Sequence, residues 1–551
     1  MFRKIGWLLI LASIVAVLGE LFSLQLPTLR WPFNVSREFF DGMPKAVRFI
    51  LGFKYDVESL DDSGASIVRK EIFPVFGYLI SAITLGLGVL LLIKFKRNAV
   101  VSPITERRIK RFKSIGRGYV SLIILGVLCL IASFDHLLVG NEAIIVKHDG
   151  EYHFPALTRK LIEGKEFGLE GDAAKTRPNY RKLKIQFAEA DNGDWVLMPL
   201  VPYAPTGDTT SQQSEALEVG ADGKIYDPGS GDLFSGIATR LYDINVPARM
   251  HSRVRIRDGV LDGDMSGWDR EGALVYTANY SAGELTKDKF TGENSTKEAF
   301  LNAEGISELR EAHLNPAPPL PQNGHLLGTT SQGNDVLAYL YGGLQVNIKA
   351  ALLYIPIVYA IGVTVGLLMG FFGGAFDLIV QRLIEIFSNV PFLFVIIIIS
   401  SSIPDQLKSL GPILLILIAF GWMGMTYLMR TAALKEKARD YVAASRVIGC
   451  STPTILFRHI LPNTVAILVT LVPFSISGLV VSLTSLDYLG FGLPAQYATW
   501  GRLLQDGLDN LSSPWLAGSA FLALVTLLIL VTFVGEAIRE AFDPKKFTFY
   551  R

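Results

Sequence analysis

The sequence predicts an all-α polytopic membrane protein that carries a large, mainly β external insert. Half of its 551 residues are hydrophobic, and its mean hydropathy is +0.36. About eight apolar runs reach the roughly 17 to 25 residues that an α-helix needs to cross a bilayer. One long polar stretch separates the third run from the fourth. The net charge of +1 gives no indication of a nucleic-acid partner.

One unusually basic loop orients the predicted transmembrane helices. The segment 94–117 carries nine Lys and Arg residues and a single acid, Glu106, and the positive-inside rule places such a short loop in the cytoplasm. Both termini are then cytoplasmic, and the long polar stretch is external. The first run could instead be a cleaved signal peptide, because basic residues precede a short apolar region. The predicted spans are 6–26, 73–94, 118–136, 350–372, 378–402, 411–430, 464–485 and 516–537.

Four regions follow from this order of spans. Residues 1–117 form an additional two-span segment with the basic cytoplasmic loop, and 118–136 form the first core transmembrane helix. Residues 137–349 form an external, periplasmic insert domain. Residues 350–551 form the core transmembrane domain.

Short runs of alternating polarity, separated by Asp-Gly and Asn-Gly turns, predict a mainly β insert. The runs are AIIVKH (143–148), KLKIQFA (182–188) and DWVLMPLV (194–201). The stretch that starts at Asp262 is similar to the beginning of a calcium loop, but Ala273 stands where the bidentate glutamate is required. We therefore predict turns there and no metal site.

No residue pattern in this chain indicates catalysis or a bound cofactor. Cys129 lies in an apolar run and Cys450 in a polar loop, so no disulfide between them is expected. There is no G-x-x-x-x-G-K-[ST] phosphate-binding motif and no Ser-His-Asp or Cys-His arrangement. Energy for any transport must then come from another subunit.

The charged segment DYVAASRVIGCSTPTILFRHILPN (440–463) lies between two apolar runs. Its small residues allow helices to approach closely, its glycine permits a sharp turn between two short helices, and its proline begins the next element. We predict that the loop 435–463 receives force from a cytoplasmic partner. The residues that carry this prediction are Ala443, Ala444, Ser445, Gly449, Leu461 and Pro462.

Two further sets of residues lie within the apolar runs. Gly362, Gly366 and Gly370 repeat at every fourth position, which favours helix packing over pore lining. Polar or helix-breaking residues at membrane depth are tolerated where they face protein or water, so they either line a translocation path or only kink the helix. The candidates for the path are Asn389, Pro391, Pro473, Ser475 and Ser477.

Several motifs resemble one family of transporters. The 440–463 segment resembles the EAA coupling loop of ABC-importer permeases, although Ala443 stands where the family usually has glutamate. HLLGTTSQGNDVLAYLYGG (325–343), SLTSLDYLGFGLP (482–494) and GEAIREAFDPKK (535–546) resemble the C-type permease subunit of dipeptide and oligopeptide importers. Asn334 departs from that family's usual arginine. RFKSIGRGYVSLIILG (111–126) and HDGEYHFPAL (148–157) are most similar to the Yej-type branch.

This resemblance implies a type I ABC-importer permease fold in a bacterial inner membrane. It implies a homologous permease chain as partner, two cytoplasmic ATPases that bind ATP and Mg²⁺, and a periplasmic or lipid-anchored substrate-binding protein. The implied substrates are oligopeptides and peptide-like compounds such as microcin C. The alternatives are a secondary transporter, which would need an inverted repeat and membrane-embedded ionisable residues, and a membrane sensor with an external ligand-binding domain.

Overall fold

The computed structural model describes residues 2–40, 75–94 and 103–542 apart from short stretches. The stretches left out are 23, 25, 27, 159–161, 170–173, 175–176, 191, 209–215, 228–230, 243–249, 271–272, 293–295, 302–305, 312–315, 320–323 and 404–407. The acidic pair Asp61-Asp62 of the first external loop and the basic pair Lys545-Lys546 lie outside the described residues.

The chain forms two compact units. The first unit comprises Met1–Pro202, Leu340–Gln505 and Gly518–Arg551. The second unit comprises Tyr203–Tyr339 and Asp506–Ala517. In chain order, the α-helices of five or more residues are α1 (Phe2–Leu21), α2 (Trp31–Phe40), α3 (Val75–Lys94), α4 (Pro103–Ser114), α5 (Gly116–Ser133), α6 (Tyr180–Ala190), α7 (Lys297–Leu301), α8 (Val336–Phe372), α9 (Gly374–Ser388), α10 (Phe392–Ser402), α11 (Leu410–Lys437), α12 (Asp440–Val447), α13 (Leu461–Tyr488), α14 (Trp500–Asp509) and α15 (Pro514–Phe542).

The apolar helices account for the predicted spans. Within the described ranges, five helices are long and apolar enough to cross a membrane, and a sixth crossing results if the bent pair α9 and α10 counts as one span. The shorter apolar helices Gly6–Leu21 and Gly77–Ile93 lie where the first two spans were predicted. The prediction of a mostly helical membrane protein is therefore confirmed.

The two N-terminal apolar helices pack directly on each other. A Cβ added to Gly6 of α1 would lie 2.9 Å from the carbonyl oxygen of Gly88 in α3, and one added to Gly88 would lie 2.8 Å from the Ile10 side chain. Only glycine permits backbones to approach this closely. The predicted two-span segment is thus a helix pair. The helix α2, which follows α1, was not predicted.

The helix α8 begins earlier than the span predicted from residue 350. Asp335 precedes its first residue, and the Asp335 carboxylate accepts a hydrogen bond from the backbone N–H of Ala338 at 2.7 Å. The other carboxylate oxygen is 2.8 Å from Nδ1 of His325. An aspartate in this position satisfies backbone donors that the first helical turn leaves free. The end of the predicted insert therefore belongs to the helix.

The span predicted at 378–402 is not one helix. The helices α9 and α10 meet at an angle of 78° across a break of a few residues. Asn389 caps the end of α9, and Pro391 immediately precedes α10. The lack of an N–H group in proline and its steric demand on the preceding residue explain the break.

One apolar cluster holds four helices of the first unit together. It joins Val358 of α8, Ile396 of α10, Leu414 of α11 and Leu483 of α13, all of which are almost completely buried. These spans therefore pack on one another around α11.

A small sheet in the first unit corrects one predicted strand. The strands β1 (Ile145–His148), β2 (Glu151–His153) and β3 (Trp195–Leu197) form an antiparallel sheet in the order β2-β1-β3, as the runs 143–148 and 194–201 predict. The prediction of a strand at 182–188 is wrong, because these residues lie in helix α6. Leu183 and Phe187, four residues apart, are buried, whereas Ile185 between them is exposed. The buried residues therefore recur at the spacing of a helix and not at the two-residue spacing of a strand.

The second unit contains the larger sheet. Its six antiparallel strands, in the order in which they pair, are β10 (Glu284–Phe290), β9 (Leu274–Ser281), β8 (Val260–Trp268), β7 (Met250–Arg257), β6 (Gly236–Leu241) and β11 (Arg310–Glu311). Ala238 pairs with Val254, Val254 with Met265 and Met265 with Ala278, which puts these apolar side chains on one face. Two further strands, β4 (Glu218–Val219) and β5 (Ile225–Tyr226), form a separate hairpin.

The stretch similar to the start of a calcium loop lies inside strand β8, so the prediction of turns there is wrong. Asp264 accepts a hydrogen bond from the Asn279 side chain at 2.7 Å, and Asp262 lies 3.2 Å from Arg257. These carboxylates make cross-strand pairs, which stabilise a sheet.

Candidate coupling and translocation sites

The segment predicted to couple the protein to a partner is a short helix between two spans. The helix α12 follows α11 after two residues, and Val442 and Ser445 face inward. Val442 is completely buried and packs against Ile455 and Leu456. The Ser445 hydroxyl donates a hydrogen bond to the Tyr441 carbonyl at 2.7 Å, so a small side chain at this position fits closely against the helix.

The helix α12 ends at a glycine in the left-handed conformation. Gly449 has a φ of +83°. Its N–H donates to the Arg446 carbonyl at 3.0 Å, and the Cys450 N–H donates to the Ser445 carbonyl at 3.0 Å. This pair of bonds is the Schellman pattern, which reverses the chain direction at a helix end. A Cβ added at Gly449 would meet nothing within 4 Å, so the backbone conformation, and not crowding, requires glycine.

The outer side of α12 exposes apolar side chains. Ala443 and Ala444 are exposed, and Val447 and Ile448 expose 87% and 80% of their surfaces. These four residues are called the outer face of α12. Apolar side chains that are exposed next to one another are characteristic of surfaces that contact other proteins or a membrane.

Two cationic side chains, one from the end of α11 and one from α12, lie over the end of α8. The Arg446 guanidinium lies 4.9 Å from the centre of the Phe371 ring, and the Lys437 ammonium lies 5.9 Å from it. Cation–π contacts at these distances are attractive. Burial, together with the hydrogen bond to Glu436, raises the pKa of Tyr441. The helix α12 is therefore held by neighbours on its inner side.

The C-terminal part of the coupling segment is continuous with the next span. The α-helix α13 begins at Leu461 with Pro462 in its first turn, as predicted, but a helical turn Thr452–Thr454 and a π-helix Ile455–Ile460 precede it without a break. A proline inside an α-helix would clash with the carbonyl four residues earlier, and the wider π-turn relieves that clash.

The three predicted packing glycines all face α11. A Cβ on Gly362 would lie 2.7 Å from Met425, one on Gly366 would lie 2.6 Å from the Thr426 carbonyl oxygen, and one on Gly370 would lie 2.6 Å from the Arg430 carbonyl oxygen. Any larger residue would push the two helix backbones apart.

The five candidate path residues do not lie together. Asn389 and Pro391 are exposed at the break between α9 and α10. Pro473 is buried within α13, which continues through it, and it faces Gly535 of α15. The Ser477 hydroxyl is buried without a hydrogen-bond partner among the described residues.

Ser475 lines a cavity of about 320 Å³ in the first unit. Its hydroxyl is 2.9 Å from the Tyr359 hydroxyl, across the cavity wall between α13 and α8. Phe392 and Gly421 also line this space. The other four candidates are not among its lining residues, so of the predicted set only Ser475 reaches the cavity.

One group of possible metal ligands occurs among the described residues. His148, Asp149 and Asp194 have ligand atoms within 4.8 Å of one another. Asp194 already accepts from His148 Nδ1 at 2.8 Å and from the Asp149 N–H at 3.1 Å. The group is thus accounted for as the hydrogen-bonded end of the β1–β2 hairpin.

Comparison with known proteins identifies the family. The sequence pattern described as "Binding-protein-dependent transport system inner membrane component" matches residues 362–548. The inner membrane ABC transporter permease protein YejE of Escherichia coli is 39% identical over 242 residues, which are 44% of this chain and 70% of that protein. The chain belongs to this family of ABC transporter permeases.

Other members agree with this assignment. A permease protein YejE of Agrobacterium fabrum, named for peptidoglycan transport, is 40% identical over 224 residues, 41% of this chain and 58% of that protein. The oligopeptide transport permease OppC of Haemophilus influenzae is 30% identical over 233 residues, 42% of this chain and 73% of that protein. The predicted resemblance to Yej-type peptide permeases is therefore confirmed, and the alternatives of a secondary transporter and a sensor are not supported.

Three contacts of this permease were not predicted from the sequence. They are the Tyr359–Ser475 hydrogen bond, the Arg446–Phe371 contact and an ion pair in which Arg430 of α11 donates to Asp377 of α9 at 2.6 Å. The ion pair could have been inferred from the sequence, because the two opposite charges stand at the ends of two apolar runs. The other two depend on tertiary packing alone.

Proposed function

We propose that this permease is the transmembrane subunit of an ATP-driven importer for peptides or peptide-like compounds. The exposed apolar outer face of α12 is the observation that carries the proposal, because it offers a contact for a second protein at the junction of two spans. The peptide class of substrate is inferred from relatives that are named for oligopeptide and dipeptide transport.

The complex would contain partners that this chain lacks. A homologous permease would complete the pore, two ATPases would bind ATP and Mg²⁺, and an external or lipid-anchored binding protein would deliver the substrate. The basic segment 94–117 supports an orientation with both termini and α12 in the cytoplasm.

The contacts around α12 indicate how force would reach the spans. Val442 packs on the π-helix that leads into α13, and Arg446 lies over Phe371 at the end of α8. A displacement of α12 by a closing ATPase dimer would therefore move the ends of α8 and α13 together. Because Tyr359 and Ser475 join those two helices at the cavity, the movement would change access to it.

Substitution of Gly449 tests this coupling. A non-glycine residue at positive φ costs about 1–2 kcal/mol, and a β-branched side chain is poorly suited to this conformation. In a reconstituted complex with its ATPases, we expect Gly449→Val to insert normally but to lose most of the ATPase stimulation by loaded binding protein, and most peptide uptake.

The matched control is Gly449→Asn, because asparagine tolerates the left-handed conformation. We expect this variant to retain stimulation and uptake. Wild-type stimulation and uptake in Gly449→Val would contradict the assignment of α12 as the coupling element.

A further inference from the structure

The helix α4 concentrates positive charge directly beside a span. It ends at Ser114, and α5, which is apolar enough to cross a membrane, begins at Gly116. Its single acid is Glu106. Its basic residues are Arg107, Arg108, Lys110, Arg111 and Lys113.

The helix α4 also contacts the end of another span. The Arg108 guanidinium lies 4.6 Å from the centre of the Phe542 ring, and Phe542 is the last residue of α15. Because α5 begins and α15 ends beside α4, this helix lies at the boundary between the hydrocarbon layer and water.

The two sides of α4 differ. Arg108 and Phe112 are half-buried against the protein. Arg107, Lys110 and Lys113 are exposed, and Ile109 beside them is 39% exposed. These four residues are called the outer side of α4.

Few acids offset the charge of the outer side. Lys110 is 2.8 Å from Glu106, but both side chains are more than half exposed. No acidic partner of Arg107 or Lys113 occurs within the described part of the chain. A neighbouring groove between span ends is balanced, since Arg117 and Arg539 line it with Glu536 and Glu540. The excess of positive charge therefore belongs to α4.

We propose that the outer side of α4 is a docking surface for anionic phospholipid headgroups. The three basic side chains would bind phosphate groups while their methylene stems and Ile109 enter the edge of the acyl layer. Each basic residue near an anionic membrane surface contributes about 1 kcal/mol, which is roughly a fivefold preference. Clusters of this size next to a transmembrane helix are typical of anionic-lipid binding.

The test compares lipids around the full-length protein. A polarity-sensitive fluorophore is placed at position 109 by Ile109→Cys in a chain that also carries Cys129→Ala and Cys450→Ser. The protein is inserted into nanodiscs of phosphatidylcholine alone or of equal parts phosphatidylcholine and phosphatidylglycerol. Phospholipids that remain bound after detergent extraction of each nanodisc sample are quantified by mass spectrometry.

We expect the emission to shift to the blue in the phosphatidylglycerol nanodiscs, and phosphatidylglycerol to be retained preferentially. The triple variant R107Q/K110Q/K113Q should lose at least about tenfold of that preference, and high salt should reduce it. The control variant R253Q/R255Q/R257Q neutralises three arginines of strand β7 and should leave both measurements unchanged.

Equal emission and equal lipid retention in the two kinds of nanodisc would overturn the proposal. It would also be overturned if the triple variant kept its lipid preference but lost assembly with the ATPase subunits, because the outer side of α4 would then contact protein.

Discussion

At the scale of single residues, backbone requirements were easier to predict than exposure. Gly449 was predicted to turn the chain, and it has the positive φ that only glycine adopts without cost. The exposure of Val447 and Ile448 could not be predicted, because apolar residues in an amphipathic segment are expected to face inward. In the proposed complex, an ATPase subunit would cover these two side chains.

His251 in strand β7 shows how burial affects a single titratable group. Its Nε2 is 3.0 Å from the Phe300 carbonyl oxygen, and its ring stacks on the Phe300 ring at 4.4 Å between centres. Its Nδ1 is buried with no hydrogen-bond partner within the described ranges. Burial lowers the pKa of His251, and the Arg240 cation lowers it further. The neutral imidazole is therefore the form that the fold accepts.

This pKa shift predicts that acid destabilises the larger sheet. The unfolded chain binds a proton at His251 below its ordinary pKa of about 6.5, whereas the folded chain binds it only at lower pH. The stabilisation by the neutral ring is complete above about pH 6.5 and is lost as the pH falls below that value, by at most about 1.4 kcal/mol for each pH unit. Urea denaturation followed by tryptophan fluorescence measures it.

The comparison is with His251→Phe, which keeps an aromatic ring against Phe300 but has no titratable group. The difference in urea midpoint between this variant and the wild type should change in favour of the variant from about pH 7.5 to about pH 5. A difference that is the same at both pH values would show that His251 does not carry the effect.

At the scale of elements, spacing within apolar runs predicted contacts better than it predicted boundaries. Gly362, Gly366 and Gly370 were chosen for their regular spacing, and each would place a Cβ within 2.7 Å of an atom of α11. By contrast, α8 begins at Val336, because the Asp335 cap starts the helix in a polar sequence. The run 182–188 was mistaken for a strand, because three apolar residues at alternate positions fit both periods over so short a length.

The close approach of α8 and α11 predicts the effect of a larger residue at its centre. Gly366→Leu must displace the Thr426 carbonyl, which lies 2.6 Å from the position of its Cβ, and overpacking of this kind costs about 1–3 kcal/mol or more. We expect less folded protein after detergent extraction and a lower thermal unfolding temperature, measured by fluorescence-detected size-exclusion chromatography.

Gly126 of α5 provides the matched control, because a Cβ there would meet nothing within 4 Å. Gly126→Leu should leave the unfolding temperature unchanged or raise it, since glycine is a poor helix former. Equal unfolding temperatures for Gly366→Leu and Gly126→Leu would contradict the packing role of Gly366.

At the scale of the whole molecule, the class of fold could be predicted and the internal division of the insert could not. Apolar runs of membrane length and the motifs around 440–463 led to an ABC permease, which the comparisons confirm. The insert was treated as one domain, yet its first part, with the small sheet, belongs to the same compact unit as most of the spans. Hydropathy cannot predict this division, because both parts of the insert are polar and contain strands.

The larger sheet has its own core and adjacent ends, so it can be removed as a unit. Phe234, Val254 and Ile256 are buried together within the sheet. Ala216 forms a β-bridge with Arg310, and the Leu217 N–H donates to the Leu309 carbonyl at 2.8 Å. A short Gly/Ser linker can therefore replace residues 217–311 with little strain. A replacement that ended at residue 300 would remove β6 but keep β11, and β11 would then lack its pairing partner.

We expect the chain with residues 217–311 replaced to assemble with its partners and to hydrolyse ATP at the basal rate. A role of the larger sheet in receiving substrate from the loaded binding protein predicts that this chain loses stimulation by that protein. Assembly is measured by co-purification, stimulation by ATPase assays in nanodiscs, and transport by uptake of labelled peptide. Loss of assembly would show instead that the sheet stabilises the complex, and full peptide uptake would exclude both roles. Because the core of the sheet lies within the replaced segment, we expect the rest of the chain to fold and to assemble without it.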